Sequence, residues 1–316
     1  MSDVMFLMIR ELPAIGKLIA LEPIDFLLGN ISNLLIGFPG HRPGGLLMSI
    51  FLSATLLAAC GAGSEAESTY DQVQESGIIR IGVRNDNPPM SFLDESGDWV
   101  GFDGDLANAM AKQLALEPEL VVVDGTTRIS FLQDGDIELF VASMNHMRER
   151  DDAIDFSVTY FWDNQSFLVR KGSYNSIDEL MGMTVAANVG SSVIPSWQAY
   201  SAEMGGPAPD IVEFDDNLAA MQALRDGAVE GYSEDNITLL SLAAGDPNLE
   251  LLPGGHNPVQ FGISVPNNDS SWIDQVNDAL QELWKNGTYQ EIYERWFVGS
   301  EKILDLPLGG EMEIWP

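Results

Sequence analysis

Leu139-Phe140-Val141, then Ala142-Ser143-Met144-Asn145-His146-Met147-Arg148-Glu149-Arg150, running on into Asp155-Phe156-Ser157-Val158-Thr159-Tyr160, is the stretch on which the reading of this chain turns. Three apolar residues predict a strand. Small and polar residues follow, and then an arginine placed for the first turn of a helix. A strand end that opens into exposed backbone N–H groups beside a guanidinium is a place to hold a carboxylate. The same residues, taken alone, also read as a surface turn with a solvated arginine.

Outward from this stretch, strands and helices alternate. Upstream, Ile78-Ile79-Arg80-Ile81-Gly82-Val83 predicts a strand that ends at Asn85, Asn87, Pro88 and Pro89. Ser91-Phe92-Leu93 and Trp99-Val100-Gly101-Phe102 flank a Glu95-Ser96-Gly97-Asp98 turn, a hairpin pattern. Asp103 or Asp105 is placed to cap a helix that buries Leu106, Met110 and Leu114. Glu119 to Val123 is the next strand, a short helix runs from Thr127 to Gln133, and residues 137–141 form the strand that leads into the opening stretch. Downstream of Phe167-Leu168-Val169-Arg170 the pattern restarts. Ser176 caps a short helix, Thr184–Ala187 is a strand, Gly190-Ser191-Ser192 opens a helix, and Gly231-Tyr232-Ser233 ends a strand at Glu234-Asp235. Phe261–Val265 is a last strand, followed by a helix with Trp272, Val276, Leu280 and Trp284 on one side and an apolar stripe through Tyr289, Ile292, Tyr293 and Trp296. This order argues for α/β architecture, with open, mostly parallel sheets flanked by helices. Ligands in such sheets sit at the carboxyl ends of the strands.

Composition narrows the function. The chain has 316 residues, with 48 acidic against 15 basic and a net charge of −33. Nucleic acid is excluded as a partner, because phosphate binding needs clustered lysine and arginine. The acidic residues are spread along the chain and read as a solvated surface. A salt-rich habitat is one hypothesis for them; it would be abandoned if stability proved indifferent to salt. The single cysteine, Cys60, permits no intramolecular disulfide, and the three histidines have no ligand spacing. No metal site and no cofactor is implied.

Residues 46–59 carry an apolar run between His41-Arg42 and Cys60 that is too short for a comfortable membrane span. The charged flank, apolar centre and small-residue end are those of a secretory signal. Leu57-Ala58-Ala59-Cys60 resembles the lipobox of bacterial lipoproteins, which implies cleavage before Cys60 and lipid on its sulfur. A buried cysteine after a helix is the competing reading. Signals normally begin a chain, so residues 1–45 point to a start near Met48 or to a membrane-associated extension. The expected plan is an extension and lipoprotein signal (1–59), a small polar tether (60–69), a first lobe (70–168), a second lobe (169–260), a return to the first lobe (261–300) and a tail (301–316).

Six motifs occur in order: Gly101-Phe102-Asp103-x-Asp105-Leu106; Leu132-Gln133-x-Gly135; Glu149-Arg150 leading to Asp155-Phe156-Ser157; Asp178-Glu179-Leu180-x-Gly182; Leu224-x-x-Gly227; and Gly287-Thr288-Tyr289 through Trp296. In this set the chain resembles the family 3 extracellular solute-binding proteins of bacterial amino-acid import. The resemblance implies a two-lobed fold of the periplasmic-binding-protein kind, with crossing strands near Phe167–Arg170 and Pro258–Gly262. It implies a monomeric, lipid-anchored receptor outside the cytoplasm that hands an amino acid to the permease of an ABC transporter.

It also implies roles. Arg150 matches the arginine that pairs with the ligand α-carboxylate, with Ser143 and Asn145 beside it. Ser191 and Ser192 match the second-lobe contacts to the same group. Asp235 matches the acid that accepts from the α-ammonium; a helix N-cap before Asn236 is the plain alternative. Asn87 and Gly125 stand where the family usually offers aromatic rings, and Met147 where a hydroxyl is usual. Val83-Arg84-Asn85 and Thr126-Thr127-Arg128 are similar to the glutamate/aspartate-binding branch, in which arginines at these places hold the side-chain carboxylate. An acidic amino acid is therefore the expected ligand. Surface arginines paired with nearby aspartates remain the other account of Arg84 and Arg128. An enzyme on the same fold, similar to cyclic-acid dehydratases, would need a general acid, and Glu234 is the only candidate. A ligand-sensing module is a third function class.

Overall fold

The computed structural model describes residues 68–297. The lipobox cysteine Cys60, the signal, the extension and the tail beyond residue 300 lie outside the described residues.

The first lobe begins with α1 (Thr69–Ser76), β1 (Ile78–Val83), a small three-stranded sheet of β2 (Asp86–Asn87), β3 (Ser91–Leu93) and β4 (Trp99–Val100), α2 (Phe102–Gln113), β5 (Glu117–Val122), α3 (Arg128–Gln133), β6 (Leu139–Phe140) and α4 (Arg148–Asp151). A 17-residue strand, β7 (Ile154–Arg170), then leaves it. The second lobe holds a 3-10 turn (Ile177–Leu180), β8 (Thr184–Asn188), α5 (Val193–Glu203), β9 (Asp210–Phe214), α6 (Asn217–Arg225), β10 (Gly231–Asp235), α7 (Asn236–Ala244) and β11 (Leu249–Leu251). Strand β12 (Asn257–Pro266) returns, and α8 (Ser270–Lys285) and α9 (Thr288–Phe297) complete the first lobe.

The lobes are the two halves of one nine-stranded sheet, in the order β5-β1-β6-β12-β7-β10-β8-β9 with β11 on β7, and both halves follow one plan. In the first lobe β1 is central and parallel to both β5 and β6. In the second, β8 is central and parallel to both β9 and β10. Parallel strands covered by helices on both faces must be apolar on both faces. Successive residues accordingly enter different cores: Leu139 and Val141 pack with α2 and α8, while Phe140 and Ala142 pack with Leu132 and Ile154. In the second lobe Leu168 packs with Leu224 and Tyr232, while Phe167 and Val169 pack with Leu180 and Trp197.

Strands β7 and β12 pair antiparallel from Ile154–Pro266 to Gln165–Asn257, with bulges around Gly262, and carry the chain between lobes. The first crossing comes earlier than expected. Phe161 still belongs to the first lobe's core, and Phe167 already belongs to the second's. The span between them is Trp162-Asp163-Asn164-Gln165-Ser166, because this polar run has no place in either apolar core.

The expected cap at the start of α2 is also corrected. Gly101 is the N-cap, with no side-chain cap bond. The buried Asp103 carboxylate accepts from Ser143 Oγ at 2.7 Å and Tyr160 OH at 2.9 Å. Asp105 accepts from Arg295 and from the Trp296 indole, which ties α2 to α9. Ser176 makes no cap bond either.

Candidate functional site

In each lobe the strand that is central in space comes first in sequence, so the order in which strands are laid down reverses beside it. A crevice at the strand carboxyl ends is expected there. Past β1 lies Arg84, past β5 Gly125 and Arg128, and past β6 Ser143, Asn145 and Arg150. Past β8 lie Ser191 and Ser192, and at the end of β10 Glu234 and Asp235. All of these residues line one cleft, together with Asn87, Asn188 and Asp215.

The loop that presents Arg128 is shaped by Asp124, whose Oδ1 accepts from the backbone N–H groups of Thr126 and Thr127 at 2.7 and 2.9 Å. Gly125 is needed there for space. A Cβ on it would lie 2.2 Å from the Val189 carbonyl oxygen of the second lobe. Gly190 faces it with φ +71°, a conformation costly for residues with a Cβ. Two first-lobe arginines reach the same carbonyl: Arg150 Nη2 donates to Gly190 O at 3.0 Å and Arg128 Nη2 at 3.4 Å. Arg150 Nη1 donates to Asn145 O at 2.8 Å.

Ser143 has φ +47° and its hydroxyl is taken up by Asp103. Asn145 Nδ2 donates across the cleft to Ser192 Oγ at 2.5 Å and reaches Asp235 Oδ1 at 3.5 Å. Gln165, buried on β7, donates to Ser192 Oγ at 2.8 Å and to Asp235 Oδ1 at 3.1 Å. Ser191 Oγ lies 3.4 Å from Glu234 Oε2. Asp235 occupies the N-cap position of α7, but its side chain makes no cap bond. The carboxylate that caps α7 comes from Asp163 on β7, whose Oδ2 accepts from Ile237 N at 3.0 Å. Asp235 is thereby left aimed into the cleft.

The three arginines differ. Arg84 bonds Asp86 at 3.0 and 3.1 Å and lies 3.8 Å from Glu234 of the other lobe. Burial opposes its charge, but Asp86 and Glu234 outweigh burial, and its pKa is raised. The account in which Arg84 pairs with a nearby aspartate therefore holds for its bonding, although the residue lines a cleft and is largely buried. Arg128 is 7% exposed and forms no ion pair among the described residues; its Nε lacks a partner. Burial, then Arg150 and Arg84, push its pKa down. Guanidinium groups stay protonated nonetheless, so Arg128 and Arg150 are two charges in want of an anion. Glu234 and Asp235 are both pushed up, Glu234 by burial and then Asp235, and Asp235 by burial and then Asp163. At 3.8 Å and an effective dielectric near 20, the Arg84–Glu234 attraction is roughly 4 kcal/mol, enough to compete with a ligand carboxylate for Arg84.

Sequence reasoning missed Asp163 and Gln165. The only signal was the polar run 163–166 inside an otherwise apolar strand. It also missed that Asp103 fixes the Ser143 hydroxyl. Met147 is the N-cap of α4 and makes no cap bond, so the hydroxyl usual at this turn would have had backbone N–H groups to accept from. Among the described residues no cluster of His, Cys, Asp and Glu is placed to hold a metal, and no helix is long and apolar enough to cross a membrane.

Known proteins resemble this chain over the same span. The profile of the bacterial extracellular solute-binding proteins, family 3, matches residues 79–299. An ABC transporter glutamine-binding protein of Bacillus subtilis is 31% identical over 264 residues, covering 79% of this chain and 94% of the relative. An L-glutamate/L-aspartate-binding protein of Pseudomonas aeruginosa is 28% identical over 266 residues, covering 79% of this chain and 87% of the relative. Among solved structures, an ancestral arginine-binding protein bound to glutamine aligns with a TM-score of 0.65 at 34% identity, covering 70% of this chain and 98% of that one.

Proposed function

The chain belongs to family 3 of the bacterial extracellular solute-binding proteins, and from that premise we propose that it captures an acidic amino acid, glutamate or aspartate, in the cleft between its lobes and delivers it to an ABC importer. Arg150 takes the α-carboxylate with a planar fork suited to two parallel bonds, beside Ser143, Asn145, Ser191 and Ser192. Asp235 accepts from the α-ammonium. Arg128, with Arg84 beyond it, takes the side-chain carboxylate. Ligand contacts from both lobes exist together only when the lobes are closed, so ligand shifts the population toward closure. No catalytic step is required. Lipid on Cys60 would hold the receptor at the membrane surface.

The observation that carries this reading is the convergence of three arginines on one cleft, two of them without a carboxylate partner among the described residues. A buried charge left unpaired costs several kcal/mol, and a second ligand carboxylate removes that cost. Calorimetric titration with a panel of amino acids tests it: glutamate or aspartate binds and basic residues do not. Binding confined to neutral or basic ligands rejects the acidic assignment.

One observation favours a second reading. Arg84 is already held by Asp86 and Glu234, which suits an uncharged side chain such as that of glutamine.

A further inference from the structure

The end of β10 places two adjacent carboxylates in the cleft, and only Asp235 is needed for an ammonium. Glu234 is 6% exposed and approaches Arg84 from the opposite lobe at 3.8 Å. It thus stands beside the guanidinium that a ligand side-chain carboxylate would address. We propose that Glu234 sets the charge of the ligand side chain: its carboxylate competes for Arg84, so an acidic ligand binds together with one proton taken up at Glu234, whereas an uncharged side chain binds without it. This rests on the reading of the cleft as an amino-acid site.

Glu234 faces Arg84 from the end of β1, Asp86 from β2, Arg128 from α3, Ser191 from the loop before α5, Asp163 from β7, and Asp235 and Tyr232 on its own strand. Three cations, Arg84, Arg128 and Arg150 past the end of β6, favour its ionised form, and burial with the neighbouring carboxylates opposes it. The balance is therefore close before any ligand enters. A ligand carboxylate bound to Arg84 and Arg128 takes over the favourable side of that balance and adds another negative neighbour. Glu234 then binds a proton: its carboxylate oxygen gains the hydrogen from solvent and the site's net charge is unchanged by the ligand's extra negative charge. Because the proton is bound with the ligand, acidic-ligand affinity falls as pH rises through the range where Glu234 of the free protein ionises. Asp235 works in the opposite direction, since it must be ionised to accept the ammonium.

The test is calorimetric titration of the full chain with L-glutamate at pH 6, 7 and 8, repeated at pH 7.5 in two buffers of different ionisation enthalpy, for the wild type and for Glu234→Gln. Asp235 is present in both, so its effect is common to both. The expected wild-type affinity falls toward about tenfold per pH unit at the alkaline end, the limit for one linked proton, with a proton taken up from the buffer. Glu234→Gln is expected to bind tighter than wild type at pH 8, with a flatter pH profile and less proton uptake than wild type. The proposal is overturned if the variant keeps the wild-type slope, or if the wild type takes up no more protons with L-glutamate than with L-glutamine, a comparison in which Asp235 cancels and which does not depend on the variant folding. Glutamate binding by Glu234→Gln but not by wild type would reject the acidic-ligand assignment and support this one. No binding of any amino acid to either protein would reject both.

Discussion

Gly125 of the first lobe lies so close to Val189 of the second that a Cβ on Gly125 would fall 2.2 Å from the Val189 carbonyl oxygen. Backbone meets backbone at this point, and neither side has a flexible side chain to give way. Gly125→Ala is therefore expected to prevent full closure and to weaken ligand binding on the order of tenfold by disfavouring the binding-competent state. Small-angle scattering with saturating ligand should show a more expanded variant, with thermal stability of the ligand-free protein nearly unchanged. Wild-type compaction and affinity in the variant would refute the contact's role.

Arg128 sets function against stability. Its guanidinium is buried without an ion pair among the described residues. Arg128→Met keeps much of the volume and removes the charge. The ligand-free variant should be more stable by about 1 kcal/mol or more, a rise in thermal midpoint of roughly 2–4 °C for a chain of this size. Glutamate binding should be lost at the same time. Differential scanning calorimetry and titration check the two halves separately.

Asp235 accepts from Gln165 and Asn145 and has no cap bond to α7. Asp235→Asn should weaken glutamate by about 2–5 kcal/mol, the usual cost of removing one member of a buried charged contact. Glutarate, which lacks the amine, should bind wild type and variant within a few-fold. An equal loss for both compounds would mean that Asp235 shapes the cleft rather than meeting an ammonium.

Asp103 gives a pH signature. Burial first, opposed by bonds from Ser143 and Tyr160, pushes its pKa from 3.8 up to about 6. The native state then holds more protons than the unfolded chain between these values, so this group's contribution to stability falls as pH rises through the window and is lowest above it. His256 acts oppositely, because burial pushes it from 6.5 down to about 4. The comparison is therefore between Asp103→Asn and wild type. The variant's stability relative to wild type should rise by up to about 3 kcal/mol between pH 4 and pH 7. Parallel denaturation curves at all pH values would show that Asp103 titrates normally.

The α/β order and the strand-end positions of Arg84, Arg128, Arg150 and Asp235 were legible because each rests on local pattern. Apolar runs mark strands, and polar residues after them mark the carboxyl ends. The single 17-residue strand β7 was not legible, since Asp163–Ser166 breaks the apolar alternation. That break has a tertiary cause: these residues run between two cores, where Asp163 meets Ile237 and Gln165 meets Ser192 and Asp235. The misassigned cap at Asp103 has the same origin. An acid in the first turn of a helix is a normal local choice, and only the packing of β6 and β7 against α2 brings Ser143 and Tyr160 to it.

Sequence alone determined that this chain builds two βα halves and that arginines stand at their strand ends. The tertiary structure decided how those charges are shared. Arg84 meets Glu234, 150 positions away, while Arg128 and Arg150 meet the Gly190 carbonyl rather than a carboxylate. Side-chain charge is written in the sequence, but an ion pair depends on distance and desolvation. Across a cleft between two lobes, both are set by the packing of the whole chain.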